Sequence, residues 1–186
     1  MLDLGLTGEL QKIVTTPVSW RDFLIERLKT GRGSAIKGQK RGRSLENWVE
    51  GVVREVFSKI GYDVRCRFVG AGGVSTEKAD FAIPSMKDPR ILIEVKAYGA
   101  TGSKQTDILG DITRIVEEKR NDTHLLLVTD GTIWTERQSD LKSLVRMQNQ
   151  GLIARIYTRN MGSDLETDLM QLRQDHSLSE TEGETL

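Results

Sequence analysis

The sequence lacks the residues and motifs on which several enzyme classes depend. Its single cysteine, Cys66, excludes a disulfide framework and a cysteine-based zinc site. Two histidines, His124 and His176, argue against a histidine-based nuclease, a histidine-rich zinc site and a Ser-His-Asp triad. The patterns GxxxxGKS/T and GxGxxG are both missing, which argues against nucleotide-driven motors and dinucleotide enzymes. Carboxylates and lysines therefore remain as the groups that carry chemistry.

Long apolar runs and an excess of charge are missing as well. No apolar run approaches about 18 residues and no signal-peptide pattern opens the chain, so the sequence predicts a cytoplasmic protein with no membrane segment. The 27 basic and 27 acidic residues cancel, so net charge alone predicts no partner. A length of 186 residues predicts one domain with a substantial core.

Charged residues interrupt two apolar runs between residues 78 and 98. Glu94 and Lys96 are two positions apart and therefore share one face of a strand, while the neighbouring apolar residues point the other way. Asp80 lies on the polar face of the shorter run, and the turn residues Lys87 to Pro89 join the two runs into a hairpin. Neighbouring strands lie roughly 4.8 Å apart, so Asp80 and Glu94 can converge on one cation. Carboxylate oxygens suit Mg²⁺, which would offset the cost of burying the charges.

An amphipathic helix precedes the hairpin. Ser44 is its expected N-cap, apolar residues then recur at i, i+3, i+4 and i+7 for four turns, and Gly61 ends it. Glu46 and Glu50 lie together on one border of the apolar face. Border glutamates commonly do no more than solvate a helix, but the position just before the acidic hairpin makes this pair a candidate for the same site.

The remaining segments predict an α/β fold. Residues 62–69 alternate, and their apolar members Val64, Cys66 and Phe68 are expected on one face of a strand. The apolar run from His124 to Val128 predicts a central strand that is covered on both faces. Further helices are expected at 103–120, 132–150 and 164–172, with a strand at 152–157. This order of elements predicts helices packed on a central mixed sheet.

A basic, glycine-rich segment precedes the amphipathic helix. It contains Lys37, Lys40, Arg41 and Arg43 and no acidic residue, and it is either a solvated linker or an arm lying on phosphates. The sequence thus predicts three parts: a helical N-terminal extension with this linker at 1–43, a folded domain at 44–174, and an acidic, disordered tail at 175–186.

Asp80 followed by Glu94-Val95-Lys96, with a helix glutamate upstream, resembles the signature of PD-(D/E)XK nucleases. Residues 94–98, EVKAY, are similar to the catalytic strand of the FokI-type cleavage domain of type IIS restriction endonucleases, and residues 114–118 to its dimer-forming helix. The likeness covers residues 44–158. It implies a restriction-endonuclease-like three-layer core that hydrolyses one strand of double-stranded DNA with Mg²⁺.

The resemblance also implies roles for individual residues. The implied set comprises the metal ligands Asp80, Glu94 and the carbonyl of Val95, the catalytic lysine Lys96, and the helix glutamate Glu50. The lysine would orient or polarise the attacking water. Glu46 is the alternative to Glu50.

The dimer-forming helix implies a partner. Arg114 matches one member of the family's opposite-charge pair, but Gly110 stands where the acid is expected and Asp111 lies beside it. With Asp111 and Arg114 as interface residues, this departure favours a non-identical partner. The chain would then be the small catalytic subunit of a heterodimeric type IIS enzyme, and its larger subunit would recognise and nick DNA.

Two alternatives stay open. One is a junction resolvase or repair nuclease of the same fold, and the other is a catalytically silent DNA-binding assembly subunit. Against the second, carboxylates repel phosphates unless a cation intervenes.

Overall fold

The computed structural model describes residues 43–75, 77–97, 107–130, 134 and 137–179. The predicted N-terminal extension, with Lys37, Lys40 and Arg41, lies outside the described residues, as does most of the predicted acidic tail. Arg43 is the first described residue and is exposed. None of the helices in the described ranges has the length and apolar content that a membrane span requires.

The amphipathic helix, α1, spans residues 43–57. The predicted apolar stripe is its buried face, which includes Leu45, Val49, Val53 and Phe57. The helix ends three residues before the last predicted position, because the N–H groups of residues 60 and 61 both donate to the carbonyl of Phe57 and close a turn. Gly61 follows with φ +104°, a conformation that favours glycine and directs the chain into the first strand.

Five strands form one mixed sheet, as predicted, and they lie in it in sequence order. They are β1 (Asp63–Arg67), β2 (Lys78–Ile83), β3 (Ile91–Ala97), β4 (His124–Asp130) and β5 (Arg155–Tyr157). The pairs β1–β2 and β2–β3 are antiparallel, whereas β3–β4 and β4–β5 are parallel. Residues 125–129 of β4 are buried, which confirms the prediction of a strand covered on both faces.

Helices cover both faces of this sheet and confirm the three-layer core. They are α2 (Ile108–Glu118), α3 (Gln138–Asn149) and α4 (Gly162–Asp175), the last preceded by a 3₁₀ turn at Arg159–Met161. One apolar cluster packs α1 and α4 on the sheet. A second cluster packs α2 and α3 on the opposite face.

The ends of the later elements differ from the prediction. Strand β5 begins at Arg155 rather than at 152, because the N–H groups of residues 152 and 153 bond the carbonyl of Met147 and still belong to the end of α3. At the other end of the chain, α4 continues to Asp175, and Leu178 packs against the first apolar cluster. The folded part therefore extends past residue 174.

The alternation predicted for β1 is wrong at Val64. Cys66 and Phe68 are buried in the cluster under α2 and α3, but Val64 is 42% exposed. Arg65 explains the difference, because its φ of +48° reverses the side-chain alternation between residues 64 and 66. The register of β1 on β2 puts this strained residue opposite Asp80.

The loop after β1 is fastened to the end of α2. The N–H of Ala71 donates to the carbonyl of Glu118 at 2.8 Å. Gly70 lies so close to the same carbonyl that a Cβ there would be 2.3 Å from its oxygen. The loop thereby fixes where α2 lies relative to β1 and β2.

We expect Gly70→Ala to lower the free energy of unfolding by about 1–3 kcal/mol, because the added methyl group forces the loop away from α2. Urea unfolding at one pH measures the change. Gly72→Ala is the matched control, since its Cβ would come no closer than 3.9 Å to a neighbouring atom. Equal stability of the two variants would contradict the role of this contact.

Candidate active site

The two strands that carry the acidic signature separate where Asp80 and Glu94 meet. Regular antiparallel pairing of β2 with β3 runs from Ile83 and Ile91 to Phe81 and Ile93. Beyond that pair, side chains take over the backbone hydrogen bonds. The N–H of Val95 donates to Asp80 Oδ2 at 2.8 Å, and the N–H of Asp80 donates to Glu94 Oε2 at 3.3 Å. Each carboxylate is thus held by the strand of the other.

Burial makes this pair electrostatically unfavourable when both groups are charged. Glu94 is only 7% exposed, and burial, followed by the negative charge of Asp80, raises its pKa to about 7. Burial also raises the pKa of Asp80, while the hydrogen bond from Val95 opposes the shift and the charge of Glu46 adds to it. Two converging carboxylates with raised pKa values are a common property of sites that bind a cation or transfer protons.

Lys96 bridges this pair to α2. Its Nζ lies 2.6 Å from Glu94 Oε1 and 3.3 Å from Asp111 Oδ2. Its carbonyl accepts a hydrogen bond from Thr129 Oγ1 at 2.8 Å, and Trp134 Nε1 donates to the same hydroxyl at 3.0 Å. The lysine is therefore held at its backbone by β4 and at its ammonium group by two carboxylates.

Asp111 and Arg114, predicted as interface residues, lie beside this lysine. Asp111 bonds Lys96 with one carboxylate oxygen and Arg114 with the other. Gly110 has a local explanation: Asp107 caps α2 by accepting from the Gly110 N–H at 2.9 Å, and a Cβ at Gly110 would come within 2.1 Å of the Asp107 carboxylate. Their role at an interface stays a prediction, whereas their place next to Lys96 is observed.

Of the two helix glutamates, Glu46 lies in the better position. Glu46 accepts a hydrogen bond from Arg65, the residue opposite Asp80, and its charge contributes to the raised pKa of Asp80. Glu50 instead accepts from Arg54 at 2.9 Å on the exposed side of α1. The geometry therefore favours the alternative, Glu46, over the predicted Glu50.

Sequence reasoning missed three residues of this region: Arg65, Asp111 as a contact of Lys96, and Thr129. No sequence signal marks Arg65 or Asp111, because each reaches the site only through the packing of separate elements. Thr129 had a weak signal, since it is a polar residue that directly follows the apolar run of the central strand. Thr129 is buried, and its hydroxyl donates to the Lys96 carbonyl of β3 and accepts from Trp134.

The side chains fit a hard divalent cation. Asp80 and Glu94 supply two carboxylates, and the carbonyl of Val95 lies on the side of β3 that faces Asp80, because the adjacent carbonyl of Lys96 faces β4. Within the described ranges no group of three or more His, Cys, Asp or Glu side chains is arranged around a metal position. Two carboxylates and one carbonyl are sufficient for Mg²⁺, which retains several water ligands.

Comparison with known protein families gives a match over most of the described domain. A family model described as DpnII restriction endonuclease matches residues 36–161. This range includes the site and extends on its N-terminal side into the basic segment. No curated protein and no solved structure matches the chain.

The raised pKa of Glu94 predicts a pH-dependent stability in the presence of EDTA. Between pH 4.5 and about 7 the folded protein retains a proton that the unfolded chain has lost, so the free energy of unfolding falls as pH rises. Glu94→Gln removes this dependence. We therefore expect the free energy of unfolding of Glu94→Gln, minus that of wild type, to rise by about 3 kcal/mol from pH 4 to pH 8.

Urea unfolding at a series of pH values measures this difference. Glu117→Gln, which alters an exposed glutamate of α2, is the matched control and is expected to follow wild type throughout. A difference between Glu94→Gln and wild type that stays constant with pH would contradict the raised pKa.

Proposed function

The chain belongs to the DpnII restriction endonuclease family, and we propose that it hydrolyses DNA phosphodiesters with Mg²⁺ at Asp80, Glu94 and Lys96. Membership of this family makes it a site-specific deoxyribonuclease of restriction–modification. The finer proposal is a PD-(D/E)XK site that cuts one strand at a time, within an enzyme of the type IIS class.

One observation carries the proposal: a buried carboxylate, Glu94, and a partly buried one, Asp80, converge where the regular pairing of β2 with β3 stops, and Lys96 is bonded to Glu94. The paired charges and the raised pKa of Glu94 support a cation-binding role for Asp80 and Glu94, with the Val95 carbonyl as a third ligand. When bound, Mg²⁺ supplies positive charge for the phosphoryl oxygens and lowers the pKa of its water.

Lys96 has the position of a group that acts on the attacking water. Its ammonium group is a hydrogen-bond donor, and the carboxylates of Glu94 and Asp111 fix its direction. Ordering a donor in this way lowers the entropic cost of aligning the water with the phosphate. Glu46, bonded to Arg65 next to Asp80, is proposed in place of Glu50 as the helix glutamate that borders the site.

The basic segment is proposed to hold DNA. The family match begins at residue 36 and includes Lys37, Lys40, Arg41 and Arg43. Their charges attract phosphates without reading bases, so they would add affinity that weakens as salt concentration rises. The division into an N-terminal extension, a nuclease domain and an acidic tail remains a proposal, with the end of the nuclease domain moved past residue 174 because Leu178 packs against its core.

We expect Asp80→Asn to reduce DNA cleavage at least about 1000-fold, because it removes a metal ligand and not a packing group. Lys96→Ala should lower the single-turnover rate about 100-fold and leave the dissociation constant for DNA within about 3-fold, since one lysine among many phosphate contacts adds little affinity. Cleavage and anisotropy assays in matched salt measure both quantities.

The control for these variants is Lys142→Ala, which removes an exposed lysine of α3 on the far side of the fold from α1. It is expected to cleave and bind as wild type does. Full activity of Asp80→Asn would refute the site, and equal losses of rate and affinity in Lys96→Ala would refute the role of the lysine.

We further propose that the chain acts as the small subunit of a heterodimer with a larger DNA-recognition subunit. A single site of this kind handles one phosphodiester at a time, so a double-strand break needs a second site. The capping of α2 by Asp107 supports a non-identical partner, because it leaves no room for an acidic side chain at Gly110.

The purified chain with Mg²⁺ is expected to nick plasmid DNA weakly. Addition of the protein encoded next to it in the genome should convert nicking into double-strand breaks at a defined site. Agarose electrophoresis distinguishes nicked from linear plasmid. Efficient, sequence-specific double-strand cleavage by the chain alone would rule out the partner and leave the nuclease assignment intact.

A further inference from the structure

A charged cavity of about 360 Å³ lies beside the candidate active site. It is bounded by the outer end of the β1–β2 hairpin, the end of β3 and the first turns of α2. Its polar lining consists of four cations, Arg67, Lys78, Lys96 and Arg114, and two acids, Glu77 and Asp111. The cations exceed the acids by two, so the cavity is suited to an anion.

The acids of the lining are already engaged on one side of the cavity. Asp111 is shared between Lys96 and Arg114, and Glu77 lies 3.8 Å from the Nε of Arg114. Lys78, on the other side, is exposed, and among the described residues its ammonium group has no hydrogen-bond or ion-pair partner. An exposed cation at a cavity wall raises the local affinity for an incoming anion.

The cavity lies to one side of the carboxylate pair. Lys78 lies two residues before Asp80 on β2, and Lys96 lies two residues after Glu94 on β3. Two strand residues span roughly 7 Å, a distance on the scale of one nucleotide of DNA backbone. Arg67 is the register partner of Lys78 and extends the positive surface across to β1. Because β2 and β3 are antiparallel, the two lysines lie on the same side of the acidic pair, and the cavity lies on that side.

We propose that this cavity binds the phosphate next to the scissile one on the strand that is cut, with Lys78 and Arg114 as its main contacts. The inference rests on the proposed function and adds a subsite to it. Asp111 acts here as a positioning residue, since it joins Arg114 in the cavity to Lys96 in the active site. Binding of the neighbouring phosphate aligns the strand over the carboxylates and carries no sequence information.

A substrate with one neutral phosphate tests this contact directly. The wild-type chain, with its partner if cleavage requires one, is first used to map a cut position. Two duplexes are then made. One carries a single methylphosphonate at the phosphate on the 5′ side of the scissile phosphate, and the other carries it at the phosphate on the 3′ side. For one of the two duplexes, we expect the kcat/KM of wild type to fall about 10-fold, which corresponds to the loss of one charge-assisted hydrogen bond.

The same neutral phosphate should have little further effect on Lys78→Ala, which already lacks the contact and cleaves the unmodified duplex about 10-fold more slowly. The matched control is Lys87→Ala, an exposed lysine at the opposite end of the β2–β3 hairpin. Lys87→Ala is expected to be as sensitive to the methylphosphonate as wild type. A protein that had merely lost structure would show additive losses.

Arg114→Gln separates this subsite from an interface. If Arg114 contacts the phosphate, Arg114→Gln lowers activity by the same factor at every enzyme concentration. Its effect is then also non-additive with that of the methylphosphonate. At an interface, raising the concentration of the chain or its partner would restore activity, and that result would overturn the assignment of Arg114.

Additive effects of Lys78→Ala with both modified duplexes, or wild-type cleavage of the unmodified duplex by Lys78→Ala, would overturn the phosphate subsite alone. Failure of the wild-type protein, with and without its partner, to cut the unmodified duplex would overturn the proposed function. The two failures are therefore distinguishable in one set of assays.

Discussion

The exchange of hydrogen bonds between Asp80 and Glu94 is the constraint on which the site depends. Each carboxylate accepts from the backbone of the strand that carries the other, in place of the N–H to carbonyl pairs of a regular ladder. The strands separate as a result, and two like charges face each other at the edge of a buried region.

Holding two carboxylates in this way costs free energy, which the raised pKa of Glu94 expresses. The sheet offsets that cost through its two apolar clusters, because β2, β3 and β4 contribute buried residues to both faces. In many enzymes, a stable apolar core likewise supports an unfavourable arrangement of charges at the site. In a member of a restriction endonuclease family, this unfavourable arrangement is the observation that supports the proposed cation site.

Helix α2 connects this site to the surface around it. Asp111 contacts Lys96 and Arg114 together, and the loop at Gly70 holds the far end of the same helix. The direction of the lysine and the shape of the neighbouring cavity therefore depend on one packed element. A residue on such a helix can serve the chemistry, the DNA or a partner, and only its contacts distinguish these roles.

The sequence by itself determined the order of the elements, the buried face of α1, the mixed sheet and the convergence of Asp80 and Glu94. Each of these follows from a local period of about two or 3.6 residues, together with the turn that joins two neighbouring strands. The tertiary structure decided the reversed alternation at Arg65, the hydrogen bond from Arg65 to Glu46 and the contact of Asp111 with Lys96. They depend on a left-handed backbone angle and on how helices rotate against the sheet, and periodicity carries no information about either. A pattern specifies which face of an element is buried, but the side chain that a polar residue meets is chosen only when the elements pack.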